Sequence, residues 1–415
     1  MNIILFSQHY FPEPDLMHRL CVGLVKKGHR VSVLTGFPNY PSGQIYSGYK
    51  QSLWKKEFLD GVYVTRIPLY PDRSQSFIKR SLNNLIYPII ASILGPFLCE
   101  RADIMMVESP PITLGIPAFI ISRIRKFPFV FQIQDIWPET LKTTGMVTSK
   151  KILSILDKIG LFTYNKSAAI AVISEGFKLN LINKKIPDKK IHVIHNWAYE
   201  AEFPVMEPDP VAMKKFGLDN GFKVLYAGNM GPAQGLHNVI SAALLLHDIK
   251  DLEFIFVGGG IELERLKKLT KSKNLHNLKF IPRIPMEEMP KLYPLVNAVL
   301  VHLTDDPLFE ITIPGKTQSC LLSGRPIIAS VNGDVTKLIK KSGAGITVKA
   351  MHPEELANAI RDLYYMPIKK REAMGNAGRD YYFNNLSPEI QIAKYEKLLE
   401  QVISDSNKKK YSQKS

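Results

Sequence analysis

Between Asp305 and Ala329 the chain reads DDPLFEITIPGKTQSCLLSGRPIIA. Glu310 stands in a loop rich in turn formers, and Ile313-Pro314-Gly315-Lys316-Thr317-Gln318 opens a short apolar helix. Unpaired backbone N–H groups and the positive dipole end at such a helix start suit a phosphate or diphosphate. A carboxylate a few residues upstream can hold sugar hydroxyls, so the segment predicts a nucleotide-sugar site. A second loop, YAGNMGPAQG at Tyr226–Gly235, follows a strand-like run. Its glycines, Gly231 among them, allow close backbone approach to a diphosphate, and Asn229 and Gln234 offer hydrogen bonds. Gly258-Gly259-Gly260 has a similar look and reads as a structural turn.

In the first half, Asp135, Trp137 and Glu139 follow an apolar run. Asp135 can orient or activate a hydroxyl, or cap a helix opening at Trp-Pro-Glu. Trp137 can stack on a sugar ring or belong to the core. Glu13 and Asp15 occupy the loop after the first strand, with Asp15 also placed to cap the helix from Leu16. His195 and His302 stand at strand ends, and His302 reads as a structural histidine. No His, Cys and carboxylate spacing suggests a metal.

The elements around these residues alternate apolar runs with helical patterns, twice over. Strands are expected at Asn2–Ser7, Arg30–Thr35, Val62–Ile67, Asp103–Val107, Phe127–Ile133, Ala168–Ile173 and Ile191–Ile194, then at Lys223–Ala227, Leu252–Val257, Leu278–Ile281, Ala298–His302, Pro326–Ala329 and Gly345–Val348. The fold class is α/β, with two Rossmann-like doubly wound domains. The expected boundaries are an N-terminal domain at 1–198, a C-terminal domain at 199–385, a helix at 386–403 returning toward the first domain, and a disordered basic tail at 404–415. A proline-bearing linker lies within 196–221.

The 415 residues exceed one hydrophobic core. Hydrophobic and charged fractions of 45% and 22% are those of an ordinary globular enzyme. The net charge of +16 lies mainly in the first 200 residues. It suits phosphorylated substrates, anionic lipid or nucleic acid, although the basic residues are dispersed and no nucleic-acid reader motif occurs. Three cysteines without metal spacing fit a reducing cytoplasm. The uncharged runs Ser81–Cys99 and Ser109–Ser122, flanked by Arg73, Lys79, Arg80, Arg123, Arg125 and Lys126, read either as membrane-contacting helices or as buried packing.

Seven segments in order carry a resemblance: QHYFPEP (Gln8–Pro14), LTGFPNYPSG (Leu34–Gly43), QDIWPE (Gln134–Glu139), VISEGFK (Val172–Lys178), VIHNW (Val193–Trp197), YAGNMGPAQGL (Tyr226–Leu236) and IPGKTQ (Ile313–Gln318). With them the chain resembles the family 4 retaining glycosyltransferases of the GT-B fold, in particular bacterial O-antigen and capsule N-acetyl-L-fucosamine transferases. The resemblance implies that Glu310 is the first of two donor-binding carboxylates. Gln318 stands where the second is expected, and Asn229 and Gln234 stand where the family carries Arg and Lys. Lys316, Arg283 and the helix N-terminus at Ile313–Thr317 become the groups facing the diphosphate. Asp135, with Trp137 and Glu139, and Glu13 with Asp15, are implied on the acceptor side.

The implied activity is metal-independent, retaining transfer of an N-acetylated amino-deoxyhexose. The donor is a UDP-sugar, no cofactor is required, and the acceptor is an undecaprenyl-diphosphate-linked saccharide. The implied location is cytoplasmic, peripheral to the inner membrane. The alternatives are a nucleotide-sugar epimerase of the same shape and a catalytically weakened membrane-associated subunit.

Overall fold

The computed structural model describes residues 1–13, 16–72, 77–198, 207–218 and 221–412. Asp15 and parts of the expected linker lie outside the described residues. Two units emerge: residues Met1–His195 with Gln391–Ser415, and residues Asn196–Ile390.

Unit 1 is built on β1 (Asn2–Phe6), β2 (Arg30–Gly36), β3 (Lys55–Leu59), β4 (Val62–Ile67), β5 (Ile104–Ser109), β6 (Phe129–Ile133), β7 (Ala169–Val172) and β8 (Ile191–Val193). They lie in the order β3-β4-β2-β1-β5-β6-β7-β8. All neighbours are parallel except β3, which runs antiparallel to β4. The central strands are buried along most of their length, as expected when helices cover both faces. Sequence patterning does not reveal β3, because KKEFL is short, charged and only half-buried at the sheet edge.

The helices of unit 1 are α1 (Leu16–Lys26), α2 (Phe77–Leu98), α3 (Gly115–Arg125), α4 (Glu139–Thr143), α5 (Lys150–Lys166) and α6 (Glu175–Asn183). Helix α2 runs through Pro88 and Pro96, with one side packed and another exposed. Tyr87 and Ala91 are buried, and Gly95 meets Ile121 of α3. Leu85, Ile89, Ile93 and Phe97 recur every fourth residue and are exposed, Phe97 to 82%. They therefore form one stripe. Arg123, Arg125 and Lys126, at the end of α3 and just beyond it, are also exposed. Among the described residues, no helix is long and apolar enough to cross a membrane.

Unit 2 contains β9 (Phe222–Asn229), β10 (Leu252–Gly259), β11 (Leu278–Ile281), β12 (Ala298–His302), β13 (Ile327–Ser330) and β14 (Gly345–Val348). All are parallel, in the order β11-β10-β9-β12-β13-β14. Its helices are α7 (Pro210–Phe216), α8 (Leu236–Leu245), α9 (Leu263–Ser272), α10 (Met289–Leu292), α11 (Pro307–Glu310), α12 (Gly315–Leu322), α13 (Asp334–Ser342), α14 (Pro353–Tyr365) and α15 (Ile368–Asn385). Val224, Phe254, Leu300 and Ile328 from the sheet pack with Val239 of α8 and Ile360 of α14 in one apolar core.

The last helix, α16 (Pro388–Ser412), belongs to unit 1 from Gln391 onward. Glu396 bonds Lys27 and His29, both at 2.7 Å. Tyr395 accepts from Gln132 at 2.6 Å, and Gln391 accepts from the His195 N–H at 3.1 Å. The disordered tail expected at 404–415 is corrected, since the helix continues to Ser412. No proline or glycine interrupts residues 389–412, and lysines near a helix C-terminus suit its dipole.

At the carboxyl ends of β9 and β10 the backbones touch. Gly258 has φ +137°, and a Cβ there would fall 2.0 Å from the Gly228 carbonyl oxygen. Replacement by alanine must push the two strands apart. Gly258→Ala is expected to cost unit 2 about 1–3 kcal/mol, read as a lower urea midpoint; an unchanged midpoint would contradict the close approach.

Candidate functional site

Open parallel sheets bind ligands beyond their carboxyl ends, where neighbouring loops leave in opposite directions. In unit 2 that point lies between β9 and β12. The loop after β9 is tied down by neutral groups. Buried His302 pairs through Nδ1 with the Gln234 carbonyl at 2.7 Å and through Nε2 with the Asn238 amide at 3.1 Å. With Nδ1 as donor, Nε2 is free to accept from Asn238. Burial pushes the His302 imidazole down to about 4, so it is neutral at pH 7, and its structural role is the one expected. The Thr304 N–H donates to the Ala233 carbonyl at 3.0 Å, and the Met230 N–H to the Gly259 carbonyl at 2.8 Å. The glycine triplet serves this zipper, as expected of a structural turn.

Asn229 and Gln234 do not face outward as two separate donors. The Asn229 amide donates to Gln234 Oε1 at 3.2 Å, and the Gly231 N–H donates to the same oxygen at 3.0 Å. The positive charge comes instead from α12. Lys316 Nζ donates to the Tyr226 hydroxyl at 2.6 Å and lies 4.0 Å from the centre of that ring. Among the described residues no carboxylate pairs with it. Burial pulls its ammonium down to about 8. A Cβ at Gly228 would stand 3.1 Å from Nζ, which places the cation at the end of β9. Tyr226, although within the YAGNMGPAQGL segment, has no role in the sequence reading. A tyrosine inside a buried strand gives no sign that its hydroxyl meets a lysine 90 positions away.

Pro314 precedes α12 without a side-chain cap, leaving the first N–H groups of the helix to other partners. Gly315 is exposed and Lys316 half-buried. The rest of the segment is placed otherwise than expected for direct contact. Ile313, Thr317 and Gln318 are buried. Turned to satisfy its amide, Gln318 donates to the Pro314 and Gly315 carbonyls, each at 2.9 Å. A second carboxylate in that orientation would face two carbonyl oxygens. Glu310 ends α11 with an exposed side chain. Its backbone is pressed against Gly333, where a Cβ would fall 1.9 Å from the Glu310 carbonyl oxygen. Arg283 is exposed beyond edge strand β11. Strand β11 lies two places from β9, roughly 10 Å at the usual strand spacing.

In unit 1 the reversal lies between β1 and β5. Asp135 follows β6 and is half-buried, and among the described residues no group hydrogen-bonds its carboxylate. Burial raises its pKa. The helix-cap reading fails, because the cap position of α4 is Pro138, without a side-chain bond. Glu139 bonds Lys184 at 2.8 Å, and Lys184 also holds Asp157 at 2.9 Å. Glu139 is thus committed to an ion pair. Trp137 is buried, in line with its core reading.

Glu13, expected on the acceptor side, is 2% exposed. Its carboxylate takes the N–H groups of Tyr10 (3.1 Å), Asn39 (2.5 Å) and Tyr40 (2.6 Å), and pairs with His9 at 3.1 Å. It staples two loops together and has no lone pair left facing outward. His195 bonds the Ile173 carbonyl at 2.8 Å through Nδ1. Absent from the sequence reading is Glu108, at the end of β5, with its Oε2 2.7 Å from the Ser7 hydroxyl. Its signal was a lone charge closing the apolar run IMMVES. Among the described residues, no group of three or more His, Cys, Asp or Glu could hold a metal ion.

Residues 16–197 match the family model described as glycosyl transferase 4-like domain, and residues 210–381 match glycosyl transferases group 1. The chain is 26% identical over 387 residues to WcaI of Escherichia coli (strain K12), named for colanic acid biosynthesis and glycosyl transfer. That match covers 88% of this chain and 93% of WcaI. It is 24% identical to the Pseudomonas aeruginosa protein WbjE, named as a glycosyltransferase, over 80% of this chain and 84% of WbjE. Among solved structures it resembles Anabaena HepE in complex with UDP and glucose, with TM-score 0.68, 15% identity, and coverage of 96% and 99%. It also resembles WaaG, a glycosyltransferase involved in lipopolysaccharide biosynthesis, with TM-score 0.67, 13% identity, and coverage of 96% and 99%.

The burial of neutral His302 has a measurable sign. Its imidazole binds a proton near pH 6.5 when unfolded and only near 4 when folded. The unfolded state therefore binds more protons in that window, and stability is lost as pH falls from 6.5 toward 4, by about 1.4 kcal/mol per pH unit in mid-window. His302→Gln is expected to flatten this slope in urea titrations. Parallel pH profiles for wild type and variant would refute it.

Proposed function

The chain belongs to the family 4 glycosyltransferases of the GT-B fold, and from that premise we propose that it transfers an N-acetylated amino-deoxyhexose, N-acetyl-L-fucosamine for preference, from a UDP-sugar to an undecaprenyl-diphosphate-linked saccharide. The observation that carries the donor half is the Lys316 ammonium, which lies at the sheet reversal of unit 2 with no carboxylate partner among the described residues. A partly desolvated cation beside uncapped helix N–H groups is suited to a diphosphate. The UDP in the HepE structures supports this donor class. The names of WcaI and WaaG support an O-antigen or capsule setting. The matched models and relatives are named for glycosyl transfer, which leaves the epimerase reading without comparable support.

In this reading Glu310 accepts hydrogen bonds from donor sugar hydroxyls, while Lys316 and the start of α12 hold the diphosphate. An acceptor hydroxyl oxygen bonds to the anomeric carbon as the bond from that carbon to the diphosphate oxygen breaks. The hydroxyl proton passes to the departing phosphate oxygen on the same face, so configuration is retained and the products are a glycoside and UDP. The protein orients the reactants and stabilises negative charge on the leaving group. No cofactor or metal takes part in this scheme.

The exposed stripe of α2, beside the exposed cations at the end of α3, fits the surface of an anionic bilayer. Apolar side chains would enter the headgroup boundary while the cations attract lipid phosphates. A lipid-linked acceptor is held at such a surface.

Glu310→Ala is expected to lower transfer by about 100-fold or more with the melting temperature unchanged, and near-normal turnover would sink the assignment. In the same series Lys316→Met should lose the thermal stabilisation that UDP-sugar confers on wild type. For the membrane, wild type should co-sediment with phosphatidylglycerol vesicles and Ile93→Ser/Phe97→Ser should remain in the supernatant. Equal partitioning of the two proteins would exclude the α2 stripe as the contact.

A further inference from the structure

Ser7 follows β1 and Glu108 lies near the end of β5, the two strands between which the sheet of unit 1 reverses. The Ser7 hydroxyl lies 2.6 Å from the His9 carbonyl oxygen and 2.7 Å from Glu108 Oε2. One hydroxyl hydrogen is shared between two acceptors, and its share toward Oε2 favours the ionised carboxylate. The arrangement is held firmly, with the Tyr87 hydroxyl donating to the Ser7 carbonyl at 2.8 Å. Beside it, Ser109 Oγ and Gln132 Oε1 are buried without partners, an uncommon state for polar atoms. Gln132 is the register neighbour of Glu108 on β6. Glu108 is itself half-buried, and among the described residues nothing bonds its Oε1.

We propose that Glu108 reads a hydroxyl of the acceptor saccharide, accepting its hydrogen at Oε1, with Ser7 as the positioning residue behind it. This rests on the transferase reading and adds to it a residue that selects the acceptor. Burial lifts the carboxyl to about 7, against the lowering effects of the Ser7 bond and the nearby His9. The groups around it are Ser7 and His9 after β1, Tyr87 of α2, which bonds Ser7, Gln132 beside it on β6, and Tyr395 of α16. Ionised Glu108 accepts a charge-assisted bond, stronger than the neutral one. Acceptor KM should therefore fall as pH rises through about 7, by about fivefold, while the donor KM does not follow.

The test compares full-length wild type, Glu108→Gln and Ser7→Ala, with UDP-sugar donor and a polyprenyl-diphosphate-linked acceptor. Glu108→Gln should hold acceptor KM near the acidic wild-type value and abolish the step. Ser7→Ala removes a bond that favours the ionised form, so the step should move to higher pH. A wild-type acceptor KM flat across pH 6–8, or an unmoved step in Ser7→Ala, overturns the proposal while leaving the transferase reading intact. Absence of turnover with every acceptor overturns both. A readout without turnover checks the protonation itself. Folded Glu108 keeps its proton to about 7 and the unfolded group to about 4.5. Wild type should therefore lose melting temperature relative to Glu108→Gln as pH rises across that window, and a constant difference overturns the assignment.

Discussion

In unit 2 a lysine ammonium rests against a tyrosine ring and hydroxyl, and the ligand end of the sheet is arranged around it. Desolvation disfavours that charge, and the ring face offsets part of the cost. Gly228 leaves the space the ammonium occupies, and the Tyr226 hydroxyl donates to the Asn229 carbonyl. The loop that would otherwise bring further cations is held instead by an amide pair, Asn229 and Gln234, and anchored on neutral His302. Among the described residues, the positive charge at the end of β9 therefore comes from one titratable group at a helix start.

The two units apply one architectural rule to opposite chemistry. Each sheet reverses its winding between two central strands, and each presents polar groups there. Unit 2 offers a cation and backbone N–H groups. Unit 1 offers carboxyl groups raised by burial, Glu108 and Asp135. The proposed transfer, from a donor with a leaving diphosphate to an acceptor hydroxyl, calls for this division.

Much of the fold is legible in the sequence because buried parallel strands read as unbroken apolar runs, as in IIL within β1 and FIFV within β10. Strand β3 escapes because an edge strand needs no such run. The site is legible at the level of segments, since glycine-rich turns and a proline-led helix start are local signals. The direction of individual side chains is not. Gln318 turns back into its own helix, Glu13 is consumed by backbone N–H groups from a loop 26 residues away, and Glu108 meets Ser7 across 101 residues. These outcomes depend on strand order, which local periodicity does not encode.

The return of α16 to unit 1 bears on how the chain is made. Unit 2 is one continuous stretch, whereas unit 1 is completed only by residues from Gln391 onward. Tyr395 and Glu396 join groups on β6 and in the turn after α1. As the nascent chain leaves the ribosome, unit 2 has its whole sequence available first, and the earlier-born unit must wait for the last helix. Folding that usually proceeds from the N-terminal domain here has to wait for a segment made after unit 2.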